Sequence, residues 1–164
     1  AADAGAPWKA IDIAETALRN LSALTEPEGR AQALLHCQRT HATLVVTYGG
    51  ELLSARQMEL KLLLDDDADP DLRAAGHEQA GLELQRTLDG VERAFGQVTL
   101  ARLLITPMPG IHALCDHLAP LLYVPVAPMD LGAALDWSAV PGLLDDPLLL
   151  NQQLCAIGAA LRTH

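Results

Sequence analysis

Aromatic residues are scarce in this chain: two tryptophans, two tyrosines and one phenylalanine amount to 3% of its 164 residues. A fold built from it must rest on aliphatic packing, chiefly of leucine and alanine. Basic residues are also few, with 11 Lys and Arg against 21 Asp and Glu, for a net charge of −10. That balance counts against nucleic acid and against docking on an anionic membrane surface, while leaving a basic tail of another protein as an acceptable partner. The three cysteines, Cys37, Cys115 and Cys155, lie far apart with no CxxC among them. Scattered thiols in odd number imply a reducing compartment and buried, inert side chains. No run approaches the roughly 20 apolar positions of a membrane-spanning helix, and no secretory signal is expected. The chain opens Ala1-Ala2-Asp3 rather than on methionine, as a processed protein or a piece of a longer one would.

What is present suffices for one domain. Half of the residues are hydrophobic, so a core can form without disulfide or metal and disorder is not expected. Residues 1–9 read as a flexible lead-in and 10–164 as a single domain. Ile13, Ala17, Leu18, Leu21 and Leu24 recur at helical spacing and predict a helix over Asp12 to Leu24, closed by Pro27 and Gly29. Ala33-Leu34-Leu35 predicts a buried strand over Arg30 to Cys37, and Ala42 to Tyr48 a second. Gly49-Gly50 forms a two-residue turn into a third strand, Glu51 to Leu60. The acidic run Asp65-Asp66-Asp67-Ala68-Asp69-Pro70-Asp71 lacks the alternation and closing Glu of a calcium loop, and is better read as a solvated helix cap.

A long helix follows over Leu72 to Phe95, with Ala80, Leu84, Leu88, Val91 and Phe95 as its apolar stripe. Leu100 to Thr106 and Leu122 to Val126 are expected strands, separated by the sharp turn Pro107-Met108-Pro109-Gly110 and a short helix, Ile111 to Leu118. A helical turn over Leu131 to Leu135 precedes a final helix from Pro147 to Leu161, in which Ala156, Gly158 and Ala159 allow close packing. Three meandering strands and two helix–strand units predict an α/β, ribonuclease-H-like fold: a three-layer domain around a mixed five-stranded sheet. A nucleotide-binding version of that fold needs Asp and Gly between its first two strands, one to organise a metal and one to let backbone N–H groups reach phosphate. Here that turn is His36-Cys37-Gln38-Arg39-Thr40-His41, with neither.

The segment Ile11-Asp12-Ile13-Ala14-Glu15-Thr16-Ala17-Leu18-Arg19-Asn20-Leu21 resembles the corresponding stretch of the MshI family of mannose-sensitive haemagglutinin pilus biogenesis proteins. The resemblance continues in order through Gly50 to Arg56, Leu82 to Asp89, Leu103 to Gly110 and Ala156 to Arg162. That family is similar to the actin-like PilM ATPases of type IV pilus machines and, more distantly, to the cytoplasmic part of GspL in type II secretion. The resemblance implies an actin-like body of which this chain is the second half. It also implies a place at the cytoplasmic face of the bacterial inner membrane, beside inner-membrane assembly partners of the PilN kind. The phosphate-contacting Asp and Gly positions of PilM-like proteins correspond here to His36 and Gln38. A second, glycine-rich nucleotide contact corresponds to the Pro107-to-Gly110 turn, where two prolines lack the N–H groups that would grip a ligand. His36, Gln38, Pro107 and Gly110 are thus degenerate phosphate-loop positions. The expectation is a non-catalytic assembly or scaffold component with no cofactor. A GspL-like secretion fragment and an ATP-binding half are the alternatives.

Other candidates carry less. His36, Cys37 and His41 on one turn, and His112, Cys115 and Asp116 on another, lack the second pair that structural zinc requires, so no metal is expected. The first strand carries no acid, against the carboxylates that nucleases of this fold place on it. An exposed sheet edge, or grooves beside Tyr48 and Trp137, could receive a partner peptide. Arg56 and Arg86 are expected in solvated salt bridges, and a former inter-lobe face leaves room for a homodimer.

Overall fold

The computed structural model describes residues 13–62 and 69–162. The lead-in over 1–9, the expected helix start at Asp12 and most of the acidic run, including Asp65, Asp66 and Asp67, lie outside the described residues. The elements follow in the order α1 (Ala14–Ala23), β1 (Ala31–Cys37), β2 (Ala42–Tyr48), β3 (Glu51–Met58), α2 (Pro70–Ala94), β4 (Leu100–Ile105), α3 (Ile111–Leu118), β5 (Val126–Pro128), α4 (Leu131–Ala134) and α5 (Pro147–Ala160). A 3₁₀ turn, Pro141–Leu143, precedes α5. The strands form one five-stranded sheet in the order β3-β2-β1-β4-β5. β1, β2 and β3 meander antiparallel, whereas β4 and β5 run parallel to β1, so the sheet is mixed.

β1 is central and all seven of its residues are buried. Its side chains alternate between two cores because successive residues point to opposite faces of a sheet. Ala31, Ala33, Leu35 and Cys37 join Leu84 and Leu88 of α2 and Leu114 and Leu118 of α3 on one side. Leu34 joins Leu18 and Leu21 of α1 and Leu150 and Leu154 of α5 on the other. Helices on both faces of the sheet make the three layers of a ribonuclease-H-like domain. Each fully buried leucine adds about 1.5–3 kcal/mol of transfer free energy, which is how a chain so poor in aromatics holds a core.

Gln32, a polar residue in the middle of the sheet, is fully bonded. Its Nε2 donates to the Ser22 carbonyl at 3.0 Å, and its Oε1 accepts from Arg102 Nε at 2.9 Å. Arg102 Nη2 in turn donates to the Thr25 carbonyl at 2.6 Å. The network ties the C-terminal end of α1 to β1 and β4 without leaving a buried group unsatisfied.

α2 begins at Pro70 behind an Asp69 cap, whose Oδ1 accepts from the Asp71 amide at 2.8 Å. The strand expected over Leu122 to Val126 is displaced. Leu122 and Val124 are buried at 8% and 5% exposure, but as plugs of a turn that ends at Pro125. The Pro125 carbonyl accepts from the Leu103 amide at 2.9 Å, and pairing with β4 starts only at Val126. Alternating burial in a loop imitates the strand period, because a plug needs only an apolar side chain and a cavity. β3 likewise ends at Met58, short of the expected Leu60.

Candidate functional site

β1 and β4 are parallel neighbours, so their C-terminal ends bring the two marked turns to one edge of the sheet. Leu35 pairs with Ile105, and the Thr106 amide donates to the Leu35 carbonyl at 2.9 Å. The hairpin turn is shorter than the His36-to-His41 stretch: His36 and Cys37 belong to β1, and the Gln38 amide closes the turn onto the His41 carbonyl at 2.8 Å. Pro107, the first residue of the second turn, has its carbonyl held by Asn151 Nδ2 of α5 at 2.9 Å. Gly110 caps α3 in the left-handed region, at φ 70°, a conformation that favours glycine. Pro107 and Pro109 contribute no N–H to this turn, and Met108 is buried at 3% exposure.

His36 sits between the turns, 3% exposed. Its Nδ1 lies 3.1 Å from Thr106 Oγ1, and its Nε2 lies 3.4 Å from Gln38 Nε2. If Gln38 donates to Nε2, Nδ1 carries the proton and donates to Thr106. Burial first, and the neighbouring His41 second, lower its pKa from 6.5 to about 4. The imidazole is therefore neutral at neutral pH, and it offers no anion-attracting charge there.

The two thiol–histidine clusters come apart. Cys37 faces the core shared with Cys115, while His112 and Asp116 point to solvent on the other side of α3. Burial, then the nearby Cys115, raise the Cys37 pKa to about 12, and burial with Asp116 raises Cys115 to about 11. Such thiols are poor nucleophiles. Among the described residues no group of three or more His, Cys, Asp or Glu side chains could hold a metal ion. Native chain treated with a thiol-specific disulfide reagent at pH 8 should react first at half-buried Cys155, with Cys37 released only on unfolding. Mass mapping that found Cys37 modified as fast as Cys155 would contradict this placement.

Trp137 packs against the α1/α5 core and donates its indole N–H to the Leu131 carbonyl at 2.8 Å, so it anchors a loop. Arg86 makes the expected exposed ion pair, with Glu83 at 3.3 Å. Arg56 does not: no carboxylate among the described residues engages it, because its neighbours across the β2–β3 ladder are uncharged. One feature escaped sequence reasoning, a groove of about 720 Å³ beside the hairpin turn, lined by Thr40, His41, Gln57, Glu59, Lys61 and Gln79. It joins residues from the hairpin and from α2 that no local spacing connects.

No family model matches the chain, and no curated protein matches it. Its structure is similar to that of a chain in the PilM-PilN type IV pilus biogenesis complex, with a TM-score of 0.55 and 17% sequence identity over 92% of this chain. The fold is actin-like. The chain spans only about half, 53%, of that relative's length. At this identity the likeness speaks to the fold. No helix among the described residues is long and apolar enough to cross a membrane.

Proposed function

We propose that this chain is the second half of an actin-like body that serves as a non-catalytic assembly component of a type IV pilus machine, of the MshI kind. The observation that carries the proposal is His36, a buried and neutral side chain at the degenerate phosphate-loop position, beside a second turn in which Pro107 and Pro109 offer no N–H. A scaffold that keeps its sheet while filling its phosphate site is suited to holding partners rather than to turning over ATP. Similarity to a chain of a PilM-PilN complex supports the assembly setting, and the resemblance of the sequence to pilus biogenesis proteins supports the finer one. The partners would be PilN-like inner-membrane assembly proteins, met at the cytoplasmic face of the membrane.

Calorimetric titration of the intact cytoplasmic region with Mg-ATP should be flat, and a pull-down should capture neighbouring inner-membrane pilus assembly proteins. Saturable Mg-ATP binding would return the site to the nucleotide-binding class. Capture of none of the neighbours would remove the scaffold role. A membrane helix and periplasmic domain following this region in the full-length protein would favour the GspL-like alternative.

A further inference from the structure

The outer edge of the sheet carries a second feature. β3 pairs with β2 alone, and residues Ser54 to Met58 form a regular ladder, opposite Val46 to Ala42, beyond a one-residue bulge at Leu53. On the other side of β3 no backbone partner occurs among the described residues. Between this edge and the second half of α2 lies a groove of about 430 Å³. Its floor is apolar, with Leu53, Val91, Ala94 and Phe95, and Arg56 and Arg86 stand along it. Leu53 and Val91 are only partly buried against the core, so the groove is a place where α2 fails to cover the sheet.

The charge of this groove runs against that of the protein. The chain as a whole carries −10, which favours basic partners. Here two of its 11 basic residues converge on one open strand. Arg56 is exposed with no carboxylate partner among the described residues, and the side chain of Arg86 is 75% exposed despite its contact with Glu83. An unpaired guanidinium beside free backbone N–H and C=O groups is matched by an extended segment bearing carboxylates. A basic tail, suited to the net charge, would meet like charge at this edge.

We propose that the β3 edge and the Arg56/Arg86 groove form a docking site for an extended acidic peptide of a partner protein, added as a further strand. Backbone bonds to Ser54–Met58 supply register, apolar side chains enter the groove over Val91 and Phe95, and carboxylates engage the two arginines. The proposal stands independently of the pilus assignment, since it rests on the edge and its charges alone.

The test is a titration of the full chain with a short capped peptide of valine and glutamate, and with a counterpart carrying lysine for glutamate, followed by backbone amide NMR. The glutamate peptide should bind about tenfold more tightly than the lysine peptide and shift amides of β3 and of the facing half of α2. The double variant Arg56→Glu/Arg86→Glu alters two exposed side chains and exchanges the weak Arg86–Glu83 pair for a like-charge one, so its melting temperature should fall by only about 2–5 °C while the preference between the peptides reverses. Equal affinity for both peptides, binding of neither at millimolar concentration, shifts confined to other surfaces, or an unaltered preference in the double variant would each overturn the proposal.

Discussion

Replacing Gly158 with alanine is expected to destabilise the fold by about 3 kcal/mol, near the upper end of ordinary overpacking losses. Gly158 is buried in α5 where that helix crosses α1, and a methyl group there would fall on the backbone carbonyl of Ala17. The obstacle is main chain, so it cannot swing aside as a long side chain would. Relief requires separating the two helices, which loosens Leu18, Leu21, Leu150 and Leu154 together. The pair is also tied by Asn20 Nδ2, which donates to the Gly158 carbonyl at 2.9 Å and would be pulled apart by the same movement. Alanine's better helix propensity returns only about 1 kcal/mol. Gly90→Ala supplies the contrast: in α2 the added methyl meets nothing within 4 Å, and stability should rise by about 0.5–1 kcal/mol. Urea unfolding of both variants decides the matter, and a Gly158→Ala protein as stable as the parent would show that α1 does not seat on α5 as described.

Acidification should destabilise the protein through His36 by about 3 kcal/mol, the equivalent of a pKa lowered from 6.5 to about 4. In the window between those two values the unfolded chain binds a proton at this residue and the folded chain does not. Stability therefore rises with pH across the window. The contribution is fully present above about 6.5 and is lost as pH falls to about 4. Half-buried His77, also lowered, acts in the same direction. The carboxylates titrate nearby, so the informative quantity is the difference between the parent and His36→Asn, whose side-chain amide can still reach Thr106. Thermal or urea unfolding should show the parent losing stability more steeply than the variant between pH 7 and pH 4. Parallel curves would mean that His36 is solvated and able to take up a proton in the folded state. That outcome would also weaken the view of this residue as a plug in a vacated phosphate site.

Several elements were legible in the chain because their signals are local. The Gly49-Gly50 turn between two β-rich runs specifies the β2–β3 hairpin, and Ile111 to Leu118 is bounded by its own glycine and proline. The order of strands and helices was enough to predict the mixed sheet. The fifth strand was misplaced because Leu122 and Val124 are apolar for a different purpose, to plug the core from a turn. Of the candidate site, the chemical identities at His36, Gln38, Pro107 and Gly110 could be read directly. Their convergence followed from the topology, because two parallel neighbours end at the same edge.

By itself the sequence determined the element order, the two-faced burial of β1, the lack of carboxylates in both turns and the two prolines without N–H groups in the second, since these depend on residue type and short-range periodicity. Tertiary structure alone decided the rest. The neutrality of His36 depends on burial against Thr106, 70 residues away in the chain. The indispensability of Gly158 depends on the Ala17 carbonyl of another helix. The cationic character of one edge in an acidic protein depends on α2 setting Arg86 beside Arg56. Burial, close approach and local field are sums over neighbours that the chain brings together only when it folds, and no window along the sequence contains them.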